Sequence, residues 1–392
     1  MPHPSLAFAR SIHPKANFIL IAIAMIVTSA CGSDADTATP ATEGFKPQVT
    51  LLTPSKPSAT PAPPAPSTAM PVPEQATVTP ESPPAGSNPF TGLPLDAAAL
   101  TRRPIIIKVA NTVEVRPQSN LATADIVVEH YAEGGVTRFS ALYLGNAPDK
   151  IGSVRSCRLI DIELPKIFDA ALVCSGTSPG VKPLMRESWG FQNNLTMISD
   201  FGPYECARCP MFRTSDRSAP HNLFASSTNV WNELDKRGNN QPSTFKAWAF
   251  SKTTPTTGTA VRSVNLAYSS GKVGWNYDTS SGTWGRTLSG RAFSDAATGQ
   301  QITAANVVVI DAFHANTLIQ EDTTGSKSIQ IQLWGEGPLK VFRDGKMIEG
   351  VWQRNSDVGV LELRDENRQI IPLKPGNTWV QLVPGNLTVT TE

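Results

Sequence analysis

A chain of 392 residues with a formal charge of +1 has the length for one large or two ordinary domains, but no surplus of positive charge to draw it to nucleic acid. Without Arg10 and Lys15, which belong to a cleavable leader, that +1 becomes −1. No polybasic segment suited to anionic lipid is present either.

Arg10 and Lys15 precede the apolar run Phe18–Val27, and the small residues Thr28, Ser29 and Ala30 lead into Cys31. This is the order of a secretory signal. A thiol directly after small residues can accept a diacylglyceryl group, so residues 1–30 read as a lipoprotein signal peptide and Cys31 as the lipidated residue. That places the chain on the outer face of the cytoplasmic membrane, with the lipid as its membrane contact. Ordinary secretion is the competing reading, because Thr28-Ser29-Ala30 also suits a signal peptidase that leaves no lipid. A retained anchor is disfavoured by length, since the apolar run is about ten residues and a spanning helix needs ~20.

Residues 31–87 are rich in Pro, Ser, Thr and Ala, as in Pro61-Ala62-Pro63-Pro64-Ala65-Pro66. They hold too little apolar surface to offset the entropy of ordering, so they read as a disordered tether. At ~3.1 Å per residue in the extended proline-rich form, such a tether reaches ~100 Å or more from the bilayer.

Residues 88–252 mix strand and helix patterns. Pro104–Val109, Asp125–Tyr131, Thr137–Leu144 and Ala170–Cys174 are short apolar runs suited to buried strands, the second and third joined across the Glu133-Gly134-Gly135 turn. Leu159–Phe168 and Ser227–Arg237 are patterned as helices, the latter with Ser227 placed to cap and Gly238 to stop it. Ser251–Thr259 is a plausible boundary. Over residues 260–392 strand signals dominate, and Asp344-Gly345 between two apolar runs marks a tight hairpin. The expected fold class is α+β, a two-part mixed α/β body with a β-rich C-terminal subdomain.

Several strings then occur together and in order: Asn88-Pro-Phe-Thr-Gly-Leu-Pro, Arg116-Pro-Gln-Ser, Glu133-Gly-Gly-Val-Thr-Arg138-Phe139, Ile151-Gly-Ser-Val-Arg155-Ser156-Cys157-Arg158, Ala219-Pro-His221-Asn222, and Pro375-Gly-Asn-Thr-Trp379. On these the chain resembles the YerB-like bacterial lipoproteins from Asn88 to Pro384. The resemblance implies a lipoprotein with an N-terminal and a C-terminal α+β domain, and it imports no catalytic residue. The chain departs from that pattern at Ser153, at Cys157 and in the Cys206–Cys209 pair.

Arg116, Arg138, Arg155 and Arg158 sit beside Gly, Ser or Pro, and a planar guanidinium on such a loop suits bidentate binding of phosphate or carboxylate. They are the candidate anion site. The structural alternative pairs each arginine with Asp125, Glu129, Glu133, Asp161 or Glu163. Glu129 and Glu133 form a candidate acid and nucleophile pair for glycoside hydrolysis, and His221 a candidate base. Gly176-Thr-Ser178-Pro-Gly180 has the spacing of a nucleophile elbow, but Pro179 lacks the N–H that an oxyanion hole would use there. Cys157, Cys174, Cys206 and Cys209 are candidates for disulfides in an oxidising compartment, with free thiols and half of a metal site as alternatives.

No metal site is complete in the sequence and no cofactor motif is present. The expectation is therefore an extracytoplasmic, membrane-anchored envelope lipoprotein. It binds an anionic ligand, a cell-wall polymer or an envelope protein, without turnover. The alternatives are an enzyme acting on cell-wall glycan and a structural envelope scaffold. Oligomeric state is not legible.

Overall fold

The computed structural model describes residues 84–392, so the signal segment, Cys31 and the tether as far as residue 83 lie outside the described residues. The first buried strands follow the apolar runs: β1 (Ile105–Ala110), β2 (Ile126–Tyr131), β3 (Thr137–Tyr143), β4 (Ala171–Cys174) and β5 (Thr196–Ile198). A hairpin of β6 (Met211–Arg213) and β7 (Leu223–Ala225) leads into the helix α1 (Ser227–Lys236). Ser226, one residue before the expected cap, accepts from Asn229 N at 3.2 Å, and Gly238 ends the helix with φ +67°. Val230, Trp231 and Leu234 turn its apolar stripe inward.

The second half supplies β8 (Ser263–Tyr268), β9 (Gly271–Asp278), β10 (Thr283–Leu288), β11 (Asn306–Asp311), β12 (His314–Gln320), β13 (Lys327–Ile331), β14 (Gly335–Arg343), β15 (Lys346–Arg354), β16 (Glu362–Asp365) and β17 (Thr378–Val383). β14 and β15 meet at Asp344-Gly345, where both residues take the left-handed conformation, φ 51° and 69°, that a two-residue turn of this hand requires.

One eleven-stranded sheet runs through both halves in the order β16-β15-β14-β11-β17-β2-β3-β1-β4-β5, with a short strand at Thr259–Ala260 added to β15. β17 is buried along its whole length between two parallel neighbours, β2 and β11. The sheet therefore continues across Ser251–Thr259, and the fold is α+β. The C-terminal half adds a second sheet around β8, β9 and β10.

Alternation along the strands sends alternate side chains to opposite faces. Val127, Phe139, Val309 and Trp379 belong to the core that also holds Trp275, Trp284 and Phe293 of the second-sheet region. On the other face Val128, Val308, Ile310 and Val380 line a small space with Leu164, Phe168 and Trp248. Trp352 and Trp379 are packed in the interior, whereas Trp334 lies in the bend before β14.

Candidate functional site

Lys108 is a charge in the middle of an apolar strand, and such a side chain must find partners. Its ammonium donates to Asp161 at 2.7 Å, to Ser140 Oγ at 3.1 Å and to His130 Nε2 at 2.7 Å. Nδ1 of His130 then carries the proton and donates to Tyr131 O at 2.8 Å. Burial lowers Lys108 to about 8 against the pull of Asp161, and burial together with the Lys108 charge drives His130 well below its ordinary value.

Beside this cluster Glu133 joins two of the candidate arginines. Arg138 Nη2 donates to Glu133 at 2.8 Å, while Arg158 grips both carboxylate oxygens with Nε and Nη2 and also faces Glu321 at 3.4 Å. Burial opposes ionisation of Glu133, but the Arg158 hydrogen bond and the two guanidinium charges outweigh it and hold the carboxyl at about 2. Both candidate arginines thus face an internal carboxylate, and both oxygens of Glu133 accept from guanidinium donors.

Glu129 lies on the opposite face, since it stands across from Phe139 whereas Arg138 is the next residue along β3. It accepts from Arg286 Nη2 at 3.0 and 3.1 Å, Thr137 Oγ1 at 2.9 Å, and Trp379 Nε1 and Gln381 Nε2 at 3.2 Å each. Both members of the Glu129–Arg286 pair are fully buried. The guanidinium of Arg286 sits 3.9 Å from the Phe293 ring centroid, and its Nε and Nη1 have no hydrogen-bond partner among the described residues. Glu129 is thus occupied by donors on the face opposite to Arg138, which is a partner of Glu133.

The remaining candidates come together at the surface. The turn Val113–Val115 after β1, the segment from Gly152 to Arg155 and the loop before β7 meet there. Backbone bonds wedge the middle segment beside β1 and β4: Ala110 N to Ser153 O at 3.0 Å, Arg155 N to Lys108 O at 3.0 Å, and Ser175 N to Arg155 O at 2.9 Å. Ser153 Oγ donates to His221 O. Arg155 donates from Nη1 to Pro220 O at 3.2 Å and places Nη2 2.8 Å from His221 Nδ1. Arg116 donates to Asn111 Oδ1 and O at 3.1 and 2.6 Å, and Arg217 to Val115 O and Pro117 O at 2.9 and 3.3 Å.

All three guanidinium groups are partly exposed, and their partners are carbonyls, an amide and an imidazole. The carboxyl of exposed Glu114 is lowered by its own backbone N–H and the Thr112 hydroxyl, with smaller help from the charges of His221 and Arg155. His221 Nδ1 is occupied by Arg155 Nη2. Arg217, which the sequence reading did not single out, lies four positions before His221 in the Ser-Ala-Pro string and joins these groups through its bonds to Val115 and Pro117.

Cys157 and Cys174 are joined and fully buried, tying the wedge segment to the end of β4. Cys206 and Cys209 are joined on the surface before β6. Ser178 is buried in a turn, where its Oγ accepts from Val181 N at 3.4 Å.

Residues 90–240 match the model of the protein of unknown function DUF3048, N-terminal domain, and residues 264–380 match that of its C-terminal domain. The chain is 28% identical over 301 residues to the candidate lipoprotein YerB of Bacillus subtilis (strain 168), covering 76% of this chain and 86% of that one. It is similar to the crystal structure of the YerB protein from Bacillus subtilis, with a TM-score of 0.64 and 27% identity over 78% of this chain and 99% of that one.

Proposed function

Since this chain belongs to the YerB-like DUF3048 family, with both of its domains, we propose that it is a lipid-anchored envelope protein that binds an anionic ligand at Arg116, Arg155 and Arg217 without turning it over. The anchor is Cys31, behind a signal of the lipoprotein kind, and the tether carries the folded body away from the outer face of the membrane. The lipoprotein description of the Bacillus relative supports that address.

One observation carries the ligand reading. Arg138, Arg158, Arg286, Arg343 and Arg354 each reach a carboxylate, whereas Arg116, Arg155 and Arg217 are held by neutral acceptors at one partly exposed locus. Guanidinium groups oriented by neutral acceptors keep their charge available to an incoming phosphate or carboxylate. The ligand is an anionic group of an envelope polymer or of an envelope protein. Catalysis by Glu129 and Glu133 has no place in this reading, because arginine already holds both.

Calorimetric titration of the detergent-solubilised full chain with inorganic pyrophosphate, and with a poly(glycerol phosphate), tests the site. Saturable binding that weakens about tenfold or more in Arg155→Ala, a loss of ~1.4 kcal/mol, with no consumption of the polymer, is the expected result. Equal binding by wild type and Arg155→Ala, or none by either, overturns it. Mass spectrometry of the N-terminal peptide tests the anchor, and an unmodified Cys31 in membrane-bound protein ends that part of the reading.

A further inference from the structure

The two disulfides differ in every respect that bears on exchange. Cys157–Cys174 spans 17 positions and both residues are 0% exposed. Cys206–Cys209 spans three positions in a surface loop where Glu205, Cys206, Ala207 and Arg208 are all exposed. Closing so short a loop constrains the unfolded chain less than closing the longer one, so stability accounts for the second bond less well than for the first. We propose that Cys206–Cys209 is a thiol–disulfide exchange site for a dithiol oxidoreductase of the thioredoxin class, while Cys157–Cys174 is a fixed structural bond.

The loop is built so that one sulfur is offered and the other retained. Cys206 is at the open tip, whereas Cys209 is partly covered and anchored to the start of α1, its carbonyl accepting from Asn229 Nδ2 at 3.0 Å. The next carbonyl, Pro210 O, accepts from Ser226 N at 3.0 Å. The base of the loop is held independently of the sulfurs, by Cys206 N to Met211 O at 3.1 Å and Met211 N to Tyr204 O at 3.0 Å. Opening the bond therefore leaves β6 in place, and the change can be reversed. No helix starts within the Cys-Ala-Arg-Cys segment, so the chain lacks the means by which an oxidoreductase activates its own thiolate; it is the substrate of exchange.

The partner's thiolate attacks Cys206 Sγ, a mixed disulfide forms, the Cys206–Cys209 bond breaks and Cys209 leaves as the thiolate. Sγ of Cys209 lies 3.2 Å from Pro203 O, which becomes the acceptor once that thiolate takes a proton. The partner's second thiol then attacks the mixed disulfide and releases Cys206, which is protonated in turn. Two electrons and two protons pass to the pair Cys206 and Cys209, and the partner's dithiol becomes its disulfide. This scheme is independent of the arginine site.

The test uses the native full chain with reduced thioredoxin, and with a thioredoxin whose second active-site cysteine is replaced by serine, followed by alkylation and peptide mapping. The expected result is a trapped mixed disulfide at Cys206, alkylation of Cys206 and Cys209, and reduction at least about 100-fold faster than that of Cys157–Cys174. Absence of any mixed disulfide or alkylation in the native chain, similar rates at the two bonds, or capture at Cys209 would each overturn the proposal.

Discussion

Nδ1 of His221 lies 2.8 Å from Nη2 of Arg155, so this guanidinium donates to an imidazole where the buried arginines of the molecule donate to carboxylates. The imidazole fixes the direction of the fork without cancelling its charge. His221→Phe keeps an aromatic ring and removes the acceptor. It should weaken pyrophosphate binding about three- to tenfold, or ~0.7–1.4 kcal/mol, with little change in the unfolding midpoint. Calorimetry and thermal unfolding on the same preparation check both halves of the statement, and unchanged affinity would remove His221 from the site.

Glu133 is the shared counter-charge of Arg138 and Arg158, each only about a tenth exposed at the side chain. Glu133→Gln leaves two poorly hydrated guanidinium groups with Glu321, 3.4 Å from Arg158, as the remaining ion-paired carboxylate. The expected cost is about 3–5 kcal/mol in urea unfolding, with part of it recovered when Arg158→Met is added. If the single substitution costs no more than an ordinary surface change, the cluster is not the structural element described above.

Stability should fall in acid through two groups. His130 stays neutral in the folded chain because of burial and then the Lys108 charge, so below about pH 6.5 the unfolded chain takes a proton that the folded one refuses. Glu133 is held at about 2, so its contribution is complete above the unfolded carboxylate range and is lost as pH falls from about 4.5 toward 2. Lys108, held at about 8, acts in the alkaline range: from about 8 to 10.5 the unfolded chain keeps a proton the folded chain has released, and this term alone raises stability. Urea unfolding from pH 3 to 9 reads these slopes. His130→Gln, which retains an acceptor for Lys108, should flatten the slope just below pH 6.5.

Removing the buried disulfide by replacing Cys157 and Cys174 with alanine should cost about 3 kcal/mol, the chain-entropy value for a loop near this length. The same change at Cys206 and Cys209 should cost less. Paired denaturation curves decide the order, and a larger loss at Cys206–Cys209 would mean that the surface loop supports the fold.

Much of the architecture can be read from local pattern because the forces behind it are local. The apolar runs of β1, β2, β3 and β4 need burial on both faces whatever surrounds them, and Asp344-Gly345 tolerates the left-handed backbone that its turn demands. Lys108 stands inside the apolar run Ile-Ile-Ile-Lys-Val, and its partners Asp161 and His130 are supplied only by the fold.

Pairing across long separations is another matter. Which of the arginines meets a carboxylate depends on contacts such as Arg286 with Glu129, 157 positions apart, and on strand alternation, which sends Glu129 and Arg138 to opposite faces of one sheet. Arg217 joins Arg116 only because the loop before β7 folds back onto Val115 and Pro117, about 100 positions earlier in the chain. β17 enters between β2 and β11 and so fuses two halves that composition alone separates. The sequence by itself determined the strands, the turns and the set of charges that had to be dealt with. The tertiary structure decided which charges neutralise one another inside and which are left facing solvent, because a charge's partner is chosen by proximity in space, and that exists only once the sheet has closed.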